Sequence, residues 1–95
     1  MEITEITIRL TNGGLVRAHV NIVFDNCFAV GEIRIIQGPT GPFVSFPAKK
    51  LPDGTYWDIA YPADAETRRI IEQAILAEYE KIVDGNSPLP NANAK

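Results

Sequence analysis

The side chains best placed to do chemistry in this chain are cations. Lys49 and Lys50 are adjacent, between strand-like runs and just before Pro52-Asp53-Gly54. Pro52 pre-sets φ and Gly54 permits a reversal, so the loop has a defined shape and its lysines form a place for an anion to dock. Arg9, Arg17 and Arg34 lie on successive alternating segments, and Arg68 and Arg69 fall near the start of a helical pattern. Arginine and lysine in such groups suit phosphate. Taken alone, adjacent lysines are more often solvated surface charges.

Catalytic patterns are poor. The single His19 and single Cys27 do not form a nucleophile pair in the expected register, and together they are too few for a zinc site. Asn12-Gly13-Gly14 is too short for a phosphate loop. No enzyme, metal or cofactor is expected.

The 95 residues suit one small domain, and 45% hydrophobic content is enough for a core. A net charge of −3 argues against nucleic-acid binding by bulk charge. The distribution is uneven, however. Residues 9–50 carry five bases against two acids, a net of +3, whereas residues 51–95 carry four bases against eight acids, a net of −4. One cysteine excludes an internal disulfide. No cationic, apolar leader or bilayer-length run is visible, so a cytoplasmic protein without membrane contact is the expectation.

The elements that position these charges follow from periodicity. Val16, Ala18, Val20, Ile22 and Phe24 alternate with Arg17, His19, Asn21 and Val23, the mark of a half-buried strand. Ile6, Ile8 and Leu10 give an earlier strand across Asn12-Gly13-Gly14. Further strands are expected over Cys27–Ile36, Phe43–Phe46 and Tyr56–Tyr61. The period then becomes helical over about Ala65–Val83, with Asp64 as N-cap and Gly85 after the last turn. The expected fold is α+β: an antiparallel sheet of four to five strands followed by one long C-terminal helix packed on one face. Residues 1–84 form the domain, and 85–95 read as a flexible Pro/Asn-rich tail.

Turn lengths set the expected register. A two-residue Asp25-Asn26 turn pairs Val20 with Gly31 and Phe24 with Cys27, and a three-residue Asn12-Gly13-Gly14 loop pairs Leu10 with Val16. On the opposite face Arg9, Arg17 and Arg34 then line up across three strands, about 4.8 Å from one to the next. His19 faces Glu32, and Cys27 points to the apolar side. Like charges opposite one another are destabilising, so such a row suits a bound anion, although solvent and Glu32, diagonal to Arg17, would also screen it. At the helix start Arg68 and Arg69 beside free amides would seat a phosphate, while Glu72 and Gln73 offer them partners along the helix. Tyr56 and Trp57 could stack on a base, though core or interface placement is the commoner use of such residues in a small domain.

The ordered set Met1-Glu2-Ile3-Thr4-Glu5, Ile33-Arg34-Ile35-Ile36, Phe43-Val44, Phe46-Pro47, Lys49-Lys50 and Pro52-Asp53-Gly54 resembles the SpoVG (stage V sporulation protein G, septation protein) family. Asp58-Ile59-Ala60, Pro62, Thr67-Arg68 and Glu78-Tyr79 continue the likeness, which spans residues 1 to 83. The resemblance implies a small bacterial regulator that binds DNA and RNA, forms homodimers through its sheet and affects septation, sporulation or virulence genes. It associates the basic pair and the helix start with nucleic-acid contact, here Lys49, Lys50 and Arg68. This chain departs from the family pattern at Trp57, where arginine is common, and at Ile70, where lysine is common. Arg69 offers a substitute for the latter charge. The competing expectation is a protein-interaction module using an exposed strand edge or the aromatic loop.

Overall fold

The computed structural model describes residues 1–85; of the tail expected over 85–95, Gly85 instead ends the helix, and residues 86–95 lie outside the described residues. The chain runs β1 (Ile3–Leu10), β2 (Val16–Phe24), β3 (Phe28–Gly38), β4 (Gly41–Ser45), β5 (Ala48–Lys50), β6 (Tyr56–Asp58) and α1 (Ala65–Gly85). The first four strands form an antiparallel meander in chain order, and β5 pairs with β6 in a separate two-stranded ribbon. The expected fifth strand thus ends at Asp58 and belongs to a second sheet. Pro47, between β4 and β5, has no N–H to continue a ladder, which suits a break at that point.

One apolar face of the meander meets α1. Ala18, Val20, Ile22 and Phe24 of β2 are buried with Ile33 and Ile35 of β3 and Val44 of β4. Ile71 and Ile75 close the core from the helix, with Leu76 and Tyr79 packed beside them. The helix begins where expected. The Thr67 amide and hydroxyl donate to the Asp64 carboxylate at 3.0 and 2.7 Å, an N-cap that satisfies one otherwise orphaned amide.

The register departs from expectation at each turn. Asp25 and Asn26 both adopt left-handed backbone, φ 51° and 54°, and the Cys27 amide donates to the Phe24 carbonyl at 2.9 Å. Positive φ at both central residues is what a type I′ turn requires. Even so, the ladder closes at Phe24↔Phe28, leaving Cys27 as a third loop residue, exposed and off the apolar face. Further along, Gly31 and Glu32 together oppose Asn21, a bulge with Glu32 at φ 60°. The expected Val20–Gly31 pair therefore gives way to Val20↔Ile33, and Val30, not Ala29, stands opposite Ile22. The bulge changes the phase of β3, so that Val30, Ile33 and Ile35 all reach the helix side. Gly31 also makes room: a Cβ there would stand 3.0 Å from Asn21 Oδ1.

The first hairpin is longer than expected. Leu10 pairs with Ala18, not Val16, because Gly13 and Gly14 at φ 114° and 84° open the loop and Thr11 caps it through Arg17 and Val16 carbonyls. A shift of two residues preserves the faces. It changes only which residues meet.

Candidate nucleic-acid interface

The face of the meander turned away from α1 carries the first cationic group. Arg9 pairs with His19, His19 with Arg34, and Arg34 with Ser45, a straight row across all four strands. The expected row placed Arg17 between Arg9 and Arg34. Instead, His19 holds that place and does not face Glu32. Arg17 is the extra residue of a bulge between the Ala18↔Ile35 and Val16↔Ile36 pairs. The longer first loop, Cys27 as a third residue of the second turn, and the Gly31–Glu32 bulge together cause this exchange. It also eases the repulsion that three guanidinium groups in line would carry.

Arg9, Arg17 and His19 are exposed and Arg34 is half-buried. None of the three arginines has an ion pair among the described residues. Beside the row lies a polar cleft of about 370 Å³ lined by Thr7, Arg9, His19, Asn21, Gly31 and Glu32. Glu32 is the acid at this cleft. The geometry therefore brings Arg9 and Arg34 together around His19, with Arg17 one step along β2.

The second group sits on the β5–β6 ribbon. Lys49 pairs with Trp57 and Lys50 with Tyr56. Successive strand residues face opposite ways, so the two lysines do not converge on one anion; each stands beside one aromatic ring on its own face. All four side chains are exposed, Trp57 at 70% and Tyr56 at 63%, so neither aromatic joins the core. The loop beyond is fixed as its residues suggest. The Thr55 hydroxyl and amide donate to Asp53 at 2.7 and 3.0 Å, and the Gly54 amide, at φ 93°, donates to the Leu51 carbonyl. The Thr55 hydroxyl, and then its amide, hold the Asp53 carboxyl below its ordinary value.

The helix-start arginines are partnered. Arg69 reaches Glu66 at 2.7 Å and Gln73 at 3.2 Å, and Arg68 lies 3.6 Å from Glu72. Exposed pairs of this kind are weak, and a phosphate competes with them readily. Asp64 already occupies part of the amide seat at the helix start. Arg68 also lies over the Phe46 ring, 5.3 Å from its centroid, which ties it to the segment leading into β5. That cation–π contact was not legible in the sequence, since Phe46 and Arg68 are far apart along the chain.

A third feature is apolar. Between β3 and the start of α1 runs a groove of about 460 Å³ lined by Phe28, Val30, Phe46, Ile59, Tyr61 and Ile71, among others. Next to it, Phe28–Ile33 of β3 has no strand on its outer edge among the described residues, because β4 pairs only with Arg34–Gly38. Among the described residues no group of three or more His, Cys, Asp or Glu is placed to hold a metal ion, and no helix is long and apolar enough to cross a membrane.

Comparison with known proteins agrees with the resemblance noted from the sequence. The SpoVG family model matches residues 1–81. A relative in Clostridium acetobutylicum, named "Putative septation protein SpoVG", is 47% identical over 83 residues, covering 86% of this chain and 87% of its own. Proteins of the same name in Anaeromyxobacter sp. (strain Fw109-5) and Caldicellulosiruptor bescii are 44% and 42% identical. The first match covers 95% of this chain and 94% of the relative, the second 87% and 96%.

Proposed function

The chain belongs to the SpoVG family, and on that footing we propose that it is a cytoplasmic, homodimeric regulator that binds DNA or RNA and thereby affects gene expression, septation or sporulation. The observation that carries the reading is the row of Arg9, His19 and Arg34 with Arg17 beside it, three arginines without an ion pair among the described residues on the face opposite the helix. Guanidinium groups left in water on one face favour a phosphodiester backbone, whose binding releases counterions. Lys49 and Lys50 on the ribbon, and Arg68 and Arg69 at the start of α1 once their helical partners are exchanged for phosphate, add cationic contacts beyond that face.

The open edge of β3 supports the homodimer. Antiparallel pairing of Phe28–Ile33 with the same segment of a second copy would satisfy free backbone groups and cover Phe28, which is 64% exposed. It would also set two cationic rows on one continuous sheet. The apolar groove beside that edge favours the second reading, a protein-interaction module. Salt separates the two: phosphate binding weakens steeply as salt rises, whereas apolar docking does not.

The test is fluorescence-anisotropy titration with labelled single- and double-stranded DNA and RNA at two salt concentrations, on protein whose mass is measured by light scattering. Lys49→Ala/Lys50→Ala is titrated alongside. Salt-sensitive binding by a dimer, weakened in the double variant, is the expected result. A folded dimer that binds no nucleic acid at low salt overturns the reading and directs the search to a protein partner.

A further inference from the structure

Resting on that nucleic-acid reading, we infer that the Lys49–Trp57 face of the β5–β6 ribbon selects single-stranded nucleic acid, Trp57 stacking on an unpaired base while Lys49 holds an adjoining phosphate. The two side chains are directly cross-strand, a relationship that brings Cβ atoms to roughly 5 Å. An indole and an ammonium at neighbouring positions on one face suit the alternation of base and phosphate along one strand. In a duplex the base faces are covered by their neighbours, and a ring on a surface ribbon has nothing to stack on.

The charge on the ribbon favours this face over the other. Asp58 pairs with Ala48 and so shares the side of Lys50 and Tyr56. No acid of β5 or β6 stands on the Lys49–Trp57 side. Asp53, in the connecting turn, is engaged by Thr55. The β6 residues Tyr56, Trp57 and Asp58 are all exposed, so this small ribbon leaves both its faces in water. Two strands alone are marginally stable, and a bound strand of nucleic acid would cover the ring that is otherwise left solvated. Trp57 gives this face a flat, sequence-tolerant surface. The prediction is a preference for exposed bases over phosphate alone.

Trp57 is the only tryptophan, so emission excited at the red edge of the indole band, where the three tyrosines absorb little, reports on this position alone. The experiment titrates the full chain with an oligothymidylate of about 15 nucleotides, within the range of single-strand site sizes. A duplex of that strand with oligodeoxyadenylate is added in parallel at equal phosphate concentration. The expected result is quenching of Trp57 emission by the single strand and little change with the duplex. Trp57→Ala should weaken single-strand binding about 5- to 150-fold while leaving duplex affinity nearly unchanged, and Trp57→Phe should retain part of the preference. Single-strand binding with unaltered emission, or an equal loss towards both probes in Trp57→Ala, overturns the inference and leaves the regulator reading standing. Failure of both probes to bind the folded wild-type protein at low salt overturns both.

Discussion

His19 stands directly across from Arg34 on the solvent side of the meander, with Arg9 on its other flank. A single imidazole thus separates two guanidinium groups that would otherwise be neighbours. Replacing either arginine should remove one phosphate contact without disturbing the core. Arg9→Ala and Arg34→Ala are each expected to lower the slope of log affinity against log salt by about 0.7 to 0.9. Anisotropy titrations over a salt series measure this, and an unchanged slope in both variants would remove the row from the interface.

Glu32 sits at φ 60° in the bulge and lines the cleft beside Arg9. Left-handed backbone costs a residue with a Cβ about 1–2 kcal/mol, a cost glycine avoids. Glu32→Gly is therefore expected to raise stability by about 1 kcal/mol, and to strengthen nucleic-acid binding by removing an acid from the cationic face. Denaturant unfolding and anisotropy on the same variant measure both. Stability and affinity moving in opposite directions would separate the two effects.

Asp64 caps α1 through the Thr67 amide and hydroxyl, in that order of influence, which hold its carboxyl below the ordinary aspartate value. Since the folded group is the stronger acid, its contribution is fully present above the unfolded-state value. That contribution is lost as pH falls through the lower, folded value. An asparagine at this position would cap nearly as well and does not titrate. Melting temperatures measured down an acid series should decline less steeply for Asp64→Asn than for wild type, with little difference at neutral pH.

Ile75 is fully buried where α1 meets the sheet. Ile75→Ala should cost about 2–5 kcal/mol, combining lost transfer energy with an unfilled cavity. Chemical denaturation gives the value directly. A cost below about 1 kcal/mol would mean that the helix docks far more loosely than this packing implies.

Much of this architecture was legible in the sequence, because apolar alternation in β2 and the 3.6-residue stripe of α1 are strong periodic signals. Asp64 was legible too, as an N-cap has a local chemistry. What was not legible was the register. The Gly31–Glu32 bulge depends on a glutamate adopting left-handed backbone, which no residue preference announces, and Arg17 falls in a bulge whose only signature is the ladder itself. Each inserted residue changes which cations meet, so alternation alone groups Arg9, Arg17 and Arg34 but gives them the wrong neighbours. The ribbon is half visible in the sequence: Lys49, Lys50, Tyr56 and Trp57 stand out by type, yet their pairing depends on the Pro52-Asp53-Gly54 turn setting a particular loop length. The Arg68–Phe46 contact joins distant segments and leaves no local trace.

The helix covers the side of the sheet opposite the arginines, and α1 itself carries five acids against three bases. A polyanion arriving from that side meets repulsion first, so the molecule must turn before capture succeeds. Electrostatic steering of this kind governs the speed of encounter more than the lifetime of the complex. Added salt should therefore slow association markedly. Reversing Glu80 and Asp84, exposed acids away from the helix start, to lysine should multiply unproductive collisions while leaving the bound geometry as it is.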